Sequence, residues 1–385
     1  MTHKRSVLII GAGIVGLACA ELFARKGTNV TLLDRHLPGA GQTTRTGGGI
    51  RLAHGSDLNV RLTLRSLPVW ERFTDLFGVD IDYVETGHLF LTASAAQLDA
   101  FGAQATLLGR HAVASTVMDK SQISKRWPYL DDLSSSGGLY CSAGGYVNHH
   151  RVVDGYLRAL LHLGVTIELG CRVEDLIQQA GKVIGVKTSD GEVFADIVIN
   201  AAGPAAGRLT ARAGARDPFV SRRHELLIVR PKRPVDANMP WLIDVDRQVH
   251  VRPDGDGRAL IGGFLGHDAA TDPERYEQSY SNTWASQVRE AAHRAFGLIE
   301  PDCEIVTGWA GLYPGTSDYL PVAEVTWPGM VTIAGLSGTG LMHAPAMAEI
   351  AWDLAHAVET PWLDTAVLNS RRFDGATQQL ERTGF

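Results

Sequence analysis

Cysteine is scarce in this chain, and the few that occur are scattered. The 385 residues include 4 cysteines, with no CxxC pair and no spacing typical of a metal site. We therefore expect reduced thiols, a cytoplasmic location and no metal. The four are Cys19, Cys141, Cys171 and Cys303.

The sequence also lacks a long apolar run and an excess of basic residues. No segment approaches the roughly 20 apolar residues of a membrane span. The 36 basic and 42 acidic residues give a net charge of −6, and no run of Lys and Arg offsets it. Nucleic acid would be repelled overall, so we expect a soluble protein without a membrane span or a nucleic-acid partner.

Glycine, in contrast, is plentiful, with 42 residues, and its most informative use follows a strand. Ser6–Ile10 is a short β-branched run typical of a buried parallel strand. The next turn carries Gly11, Gly13 and Gly16 ahead of a predicted helix that ends near Lys26. These glycines permit a tight turn, close approach of a pyrophosphate and packing of helix on strand, while the helix N-terminus offers N–H groups to the anion.

A second strand, Asn29–Leu33, ends in Asp34, where a carboxylate could accept hydrogen bonds from a ribose. The alternative for Asp34 is an ordinary turn residue. A glycine- and threonine-rich loop follows at Gly41–Arg51. It could wrap the rest of an extended dinucleotide, although a flexible surface loop is the alternative. The pattern predicts a dinucleotide without identifying which one.

Further along the chain, α/β segments alternate with β-rich segments, and the length favours two domains. We predict a hairpin that turns at Asp190-Gly191 and a buried strand at Ile197–Asn200. Further predicted strands lie between residues 220 and 265, and another at Met330–Ala334. Predicted helices cover Ala95–Leu108, Trp284–Phe296, the segment that ends near Val358, and Arg151–Leu163 with Val153, Leu157, Leu160 and Leu161 on one face.

Short pieces spread over essentially the whole chain resemble one family. They are Gly11–Gly16 with Asp34, Gly47–Arg51, Gly145–His149, Cys171–Val173, Asn200–Pro204, Gly308–Pro314 with Asp318 and Pro321, and Ala334–Gly340. In order and spacing they are similar to the FAD-dependent amine oxidoreductases, which include D-amino-acid oxidase, glycine oxidase, sarcosine oxidase and proline dehydrogenase.

The resemblance implies an α/β FAD-binding Rossmann-like domain with an inserted α+β substrate domain built on an antiparallel sheet. The FAD-binding domain would comprise residues 1–80, 141–219 and 306–385. The substrate domain would comprise residues 81–140 and 220–305.

The resemblance also implies a set of residues that bind FAD. The last glycine-rich turn would present N–H groups to the flavin C2 carbonyl, where reduction leaves negative charge. The whole set is Gly11, Gly13, Ile14, Val15, Gly16, Asp34, Arg35, Thr43, Thr44, Arg45, Gly48, Gly49, Ile50, Val173, Ala201, Ala202, Gly203, Gly311, Gly338, Thr339, Gly340, Leu341 and Met342.

The sequence departs from the family pattern at positions that bear on chemistry. Relatives with covalent flavin have Cys at the position of Gly311 or His near Thr46, so we expect non-covalent FAD. Leu260 occupies the place of the Lys that activates oxygen in sarcosine oxidase. Tyr313 matches an Arg that binds the substrate carboxylate in glycine oxidase.

Three residues are therefore candidates for the catalytic site: Arg51, His250 and Tyr313. Arg51 aligns with the carboxylate-binding arginine of sarcosine oxidase, and His250, as a neutral imidazole, could accept a proton from the substrate ammonium. A solvent-facing arginine and a strand histidine satisfied in place are the alternatives.

Two other polar clusters have simpler interpretations. His149 and His150 would point to opposite faces of a strand, which disfavours a metal pair. Arg222–His224 is interpreted as a solvated face.

The reaction implied is oxidation of the C–N bond of an amino acid or small amine to an imine, with hydride transfer to flavin N5. Oxygen or another acceptor would take the electrons, and an oligomer is possible. A non-catalytic or electron-transfer FAD subunit of a larger complex is the alternative. A flavin hydroxylase is disfavoured because its Gly-Asp motif is missing near Ala334.

Overall fold

A computed structural model describes residues 5–130, 133–212, 214–265 and 269–374. The predicted domain segments that include residues 1–4, 131–132, 213, 266–268 and 375–385 extend outside the described residues at those positions. Within the described ranges, none of the helices is both long enough and apolar enough to cross a bilayer.

The described residues form both helices and strands. The helices are α1 Ile14–Arg25, α2 Asp57–Glu71, α3 Phe73–Phe77, α4 Ala95–Arg110, α5 Lys120–Arg126, α6 His149–His162, α7 Ala206–Arg212, α8 Asn282–Phe296 and α9 Gly340–His356. The strands are β1 Ser6–Ile10, β2 Asn29–Asp34, β3 Gly49–Arg51, β4 His88–Thr92, β5 Ser115–Asp119, β6 Gly137–Cys141, β7 Gly144–Tyr146, β8 Thr166–Leu169, β9 Val173–Gln179, β10 Lys182–Thr188, β11 Gly191–Phe194, β12 Ile197–Asn200, β13 Val220–Arg230, β14 Trp241–Asp244, β15 Val249–Pro253, β16 Ala259–Gly263, β17 Glu304–Gly315, β18 Val322–Trp327 and β19 Met330–Ala334.

A six-stranded sheet forms the first layer, in the order β18-β19-β12-β1-β2-β8. Its pairs are parallel except for the edge pair β18–β19. Almost every residue of the central strands β1, β12 and β19 is buried, because helices cover one face of the sheet and β9, β10 and α7 cover the other. Helices α1, α2, α6 and α9 contribute side chains to the largest core cluster, which lies on one face of this sheet.

The second layer is an eight-stranded sheet in the order β17-β13-β16-β15-β14-β4-β6-β5. Its pairs are antiparallel with one exception, the parallel pair of β4 and β14. The pairing brings residues 88–141 into one sheet with residues 220–315. Strand β17 starts at Glu304, just before the predicted boundary at residue 306. A three-stranded sheet, β11-β10-β9, and the pair β3–β7 complete the strands described.

Two local predictions are wrong. His149 and His150 begin helix α6, whose N-terminus is capped by the Asn148 side chain through the N–H groups of His150 and Arg151. They are therefore consecutive residues in a helical turn, with ring centroids 4.4 Å apart, and do not point to opposite faces of a strand. Leu161 is 69% exposed and lies outside the buried face of α6, which Val153 and Leu160 help to form.

Candidate active site

A long cleft opens at the carboxyl ends of the parallel strands. The segments that follow β1, β2, β12 and β19 all line it, and the strands β13 and β17 of the second sheet form the opposite wall. It encloses about 1420 Å³, including the solvent at its mouth. Ligands of open α/β sheets bind at this edge, outside the carboxyl ends of the strands.

Two glycines of the first turn permit the close approach of backbone that the cleft requires. Gly11 has a φ of +103°, and a Cβ there would lie 2.5 Å from the carbonyl oxygen of Ala201. A Cβ at Gly16 would overlap the carbonyl oxygen of Gly11. The turn therefore brings strand ends and helix α1 into contact, and both positions exclude any side chain.

Two helix N-termini meet at the cleft, and neither is capped by the side chain of the residue before it, although the Thr43 hydroxyl accepts the N–H of Ile14 at 2.9 Å. Gly13 precedes α1 and has no side chain to offer, and the Thr339 hydroxyl that precedes α9 donates instead to the carbonyl of Leu336, at 2.6 Å. Gly13 and Gly340 line the cleft. Such N-termini carry partial positive charge and suit the anionic parts of a dinucleotide, so the residues present fit the FAD that the resemblance implies.

Asp34 lies at the end of the cleft nearest the parallel sheet. Its two carboxylate oxygens accept the N–H groups of Ala12 and His36, each at 2.7 Å. Asp34 therefore stabilises the turns after β1 and β2, which agrees with the alternative interpretation of Asp34 as a turn residue. It also lines the cleft, and each carboxylate oxygen retains a second lone pair for a ribose hydroxyl.

A second chamber adjoins the far end of this cleft. Thr46, Leu226, His250, Phe264, Tyr313 and Gly338 line both spaces. The chamber is further lined by Gly47, Gly49, Arg51, His88, Trp241, Ile243 and Met342. All three predicted catalytic residues therefore border this chamber.

Arg51 is buried at the end of β3, with 4% of its surface exposed, so the alternative of a solvent-facing arginine is wrong. Its guanidinium carbon lies 5.7 Å from the ring centroid of Phe90, and Nη2 lies 3.5 Å from Nδ1 of His54. A buried guanidinium in a chamber whose other described wall residues include no Asp, Glu, Lys or Arg is a strong attractor for a carboxylate.

Two neutral histidines flank an indole in the same chamber. The ring centroid of Trp241 is 5.6 Å from that of His88 and 5.4 Å from that of His250. Burial and the nearby charge of Arg51 lower the pKa of His88 to about 3. Burial and the nearby charges of Arg252 and Arg51 lower the pKa of His250 to about 3 as well. Both rings are therefore uncharged at neutral pH.

Tyr313 lies at the junction of cleft and chamber. Gly338, with a φ of +89°, packs so closely that a Cβ would lie 2.5 Å from Cε2 of the Tyr313 ring. Burial raises the pKa of the Tyr313 phenol, an effect opposed by the charge of Arg51, so the phenol is protonated at neutral pH.

The predicted cofactor residues divide into three groups. Those that line the cleft are Gly11, Gly13, Ile14, Val15, Asp34, Arg35, Thr43, Arg45, Ala201, Ala202, Gly203, Gly311, Gly338, Gly340 and Leu341. Gly49 and Met342 line the chamber. The residues found on neither wall are Gly16, Thr44, Gly48, Ile50, Val173 and Thr339.

The interpretation of Arg222–His224 as a solvated face is wrong. These residues lie on β13 opposite Tyr313, Leu312 and Gly311 of β17. The ring centroid of His224 is 4.4 Å from that of Tyr313 and 4.6 Å from that of Phe264, and His224 lines the cleft. The alternation of side chains along a strand could have indicated this position, because it places residues 222, 224 and 226 on the same face of β13.

Several wall residues were missed by sequence reasoning. Gln42 accepts the N–H of Leu312 at 2.6 Å and so ties the first loop to β17. A strap of residues 271–281 crosses near the cleft, where Glu274 contacts Arg35 at 2.6 Å. Among the described residues, no cluster of His, Cys, Asp and Glu could hold a metal ion.

A sequence profile of the FAD dependent oxidoreductase family matches residues 6–354. Sarcosine oxidase subunit beta of Rhizobium meliloti is 30% identical over 83% of this chain and 76% of its own length. The glycine oxidase of Geobacillus kaustophilus is 25% identical over 94% of this chain and 95% of its own. The 4-methylaminobutanoate oxidase of Paenarthrobacter nicotinovorans is 25% identical over 97% of this chain, which spans only 46% of that relative.

Solved structures share the fold. The L-proline dehydrogenase of P. horikoshii matches with a TM-score of 0.86, at 24% identity, over 97% of this chain and 99% of its own. The G. kaustophilus glycine oxidase matches with a TM-score of 0.83, at 22% identity, over 96% and 98% of the two chains.

Proposed function

The chain belongs to the FAD dependent oxidoreductase family, and from this premise we propose that it oxidises the C–N bond of a carboxylate-bearing amine or amino acid to an imine. FAD is its cofactor, and its relatives are amine and amino-acid oxidases or dehydrogenases. The observation that carries the proposal is the buried guanidinium of Arg51 in a chamber that adjoins the cofactor cleft.

Bound FAD supplies the acceptor for the hydride that leaves the substrate carbon, and the proton on nitrogen is lost separately. Arg51 binds and orients the carboxylate, which positions the neighbouring carbon at the junction with the cleft. Trp241, Phe264 and Leu226 exclude water around the rest of the substrate. In this proposal the eight-stranded sheet and its helices form the substrate domain, and the six-stranded sheet with its helices forms the FAD-binding domain.

In this scheme His250 accepts a hydrogen bond from the substrate amine and does not act as a general base. An imidazole with a pKa of about 3 takes a proton from an ammonium only at great cost. Among the described residues, the chamber wall carries no Asp or Glu to pair with an ammonium. The amine therefore binds in its neutral form, with its N–H directed at a neutral acceptor.

The alternatives of an electron-transfer subunit and a flavin hydroxylase are not favoured by the relatives, whose names are those of amine and amino-acid oxidases and dehydrogenases. An electron-transfer subunit would hold FAD without direct reduction by an amine. Anaerobic bleaching of the flavin by a substrate therefore separates it from the proposed enzyme.

The experiment is an anaerobic screen of flavin reduction with D- and L-amino acids, N-methyl amino acids and their decarboxylated counterparts. Arg51→Lys should raise KM about 10- to 100-fold for carboxylate substrates, because the planar fork is lost, and should leave decarboxylated amines unaffected. Arg65→Lys, in a partly exposed pair with Glu349, is the matched control. Equal kinetics of Arg51→Lys and wild type would remove Arg51 from the substrate site.

A further inference from the structure

Behind Arg51, a line of buried polar side chains runs away from the chamber to helix α9. Nδ1 of His54 lies 3.5 Å from Nη2 of Arg51, Nε2 of His54 lies 3.0 Å from the Thr63 hydroxyl, and that hydroxyl lies 2.9 Å from Nε2 of His343. His54, Thr63 and His343 have no exposed surface. Four side chains from β3, the following loop, α2 and α9 are thus connected.

The chemistry of the groups fixes the direction of the hydrogen bonds that His54 makes. A guanidinium has only donors, so His54 must accept at Nδ1 and carry its proton on Nε2. That proton goes to the Thr63 oxygen, which also bonds Nε2 of His343. Reversing the bond between His54 and Thr63 would move the proton to Nδ1 and place two donors opposite each other between His54 and Arg51.

We propose that His54, Thr63 and His343 form a positioning chain that fixes the Arg51 guanidinium for the substrate carboxylate. The proposal rests on the proposed function of Arg51. The residues of the chain are positioning residues, because they act on the substrate through Arg51 only. A neutral His54 in a fixed tautomer limits rotation of the Arg51 guanidinium. Because His54 is uncharged, it does not compete with the substrate carboxylate for that guanidinium.

The far end of the chain joins the turn that borders the cleft. His343 directly follows Met342, which lines the chamber, and Nε1 of Trp70 donates to the Met342 carbonyl at 3.1 Å. One turn further along both helices, the N–H of Ala346 donates to the Ser66 hydroxyl, also at 3.1 Å. Thr63, Ser66 and Trp70 of α2 therefore all bond to the first turns of α9, and the Thr63 contact continues through His54 to Arg51.

Thr63 and Ser66 provide a matched test, because each is a buried hydroxyl of α2 bonded to α9. We expect Thr63→Val to weaken binding of acetate, propanoate and benzoate to the FAD-loaded enzyme by about tenfold, measured from perturbation of the flavin spectrum. Binding of the corresponding neutral amides should not change. Thr63→Ser should restore carboxylate binding, and Ser66→Ala should retain it. Where Arg51→Lys weakens carboxylate binding, unchanged binding in Thr63→Val, or an equal loss in Ser66→Ala, would overturn the proposal.

A second measurement keeps the proposal separate from the substrate assignment. Nitrogen-15 NMR of histidine-labelled wild-type holoenzyme should show His54 protonated on Nε2, with its Nε2 signal changed in Thr63→Val. A proton on Nδ1 of His54 would overturn the chain whatever the substrate is. If the His54 tautomer agrees but neither Arg51→Lys nor Thr63→Val affects carboxylates, the assignment of Arg51 fails instead.

Discussion

His250 lies directly opposite Gly262 in the antiparallel pair β15–β16, and the imidazole occupies the space that a side chain at 262 would fill. A Cβ there would lie 2.5 Å from Cε1 of the ring and 2.5 Å from Cδ2 of Leu226. The ring is held between this backbone and the Trp241 indole. The position of His250 therefore depends on glycine at 262.

Gly262→Ala should displace the His250 imidazole and lower kcat/KM for the substrate by about tenfold or more, with a cost in stability of about 1–3 kcal/mol from overpacking. The FAD content of the variant must be measured alongside, because the displaced His250 and Leu226 also line the cleft, and kcat/KM is compared per bound FAD. Gly102→Ala, in open space on α4, is the control. Wild-type kinetics in a folded Gly262→Ala protein would show that the ring position does not matter.

The buried histidines predict a specific pH dependence of stability. The pKa of His88 and that of His250 are each lowered to about 3, whereas in the unfolded chain they are about 6.5. Between these values the unfolded chain binds more protons, so stability is lost as pH falls below about 6.5, by about 2 kcal/mol per histidine at pH 5.

Urea unfolding at pH 7.5, 6 and 5 measures this loss. His88→Phe should reduce the loss between pH 7.5 and 5, because one of the titrating groups is gone while His250 and His149, whose pKa burial lowers to about 4, remain. An identical pH slope in the variant and the wild type would mean that His88 takes up its proton in the folded state.

Asp34→Asn should weaken FAD binding by about 10- to 100-fold, because a charge-assisted hydrogen bond to the ribose becomes a neutral one. The N–H groups of Ala12 and His36 can still be met in part by the amide oxygen, so the fold should persist. Equilibrium dialysis of FAD measures the affinity, and Asp190→Asn in the exposed hairpin turn is the control. Equal affinity would leave Asp34 a turn residue only.

Acid precipitation should release all of the FAD. Gly311 and Thr46 occupy the positions where the resemblance places attachment residues in relatives. Both line the cleft, and neither has the thiol or imidazole through which those relatives attach the flavin covalently. Flavin absorbance in the supernatant after precipitation is the measurement, and yellow colour retained by the denatured chain would contradict the expectation.

The first sheet and the cofactor end of the cleft were predictable because their signals are local. A continuous apolar run, a glycine turn and a helix specify one another within the 29 residues from β1 to β2. The hairpin at Asp190-Gly191 was predicted for the same reason. Strand bounds at Ile197–Asn200 and Met330–Ala334 agree with the structure.

The substrate chamber was less predictable because its walls are assembled from distant segments. Burial of Arg51 depends on β3 pairing with β7, about a hundred residues away, and on Phe90 of the second sheet. Nothing in Arg222–His224 itself reveals that Tyr313 will face it. The Asn148 cap was a local signal for helix α6, which begins at His149, ahead of the predicted start at Arg151.

The last prediction concerns the electron acceptor: molecular oxygen should reoxidise the reduced enzyme slowly. Reduction of oxygen builds negative charge that needs a nearby cation in a dry pocket. Leu260 is buried at the place where sarcosine oxidase has Lys. The cation directly across the strand pair, Arg252, is held by the carbonyls of Gly47 and Pro253 and the Asp254 carboxylate.

Stopped-flow mixing of the reduced enzyme with aerated buffer tests this expectation. Leu260→Lys should accelerate reoxidation by oxygen severalfold or more, whereas Leu260→Met, of matched volume, should not. Reoxidation by a quinone dye should be alike in all three, which controls for loss of FAD or fold. If the wild type reacts with oxygen much faster than free reduced flavin, Leu260 does not limit the reaction, and a cation already present, Arg252 or Arg51, stabilises the charge.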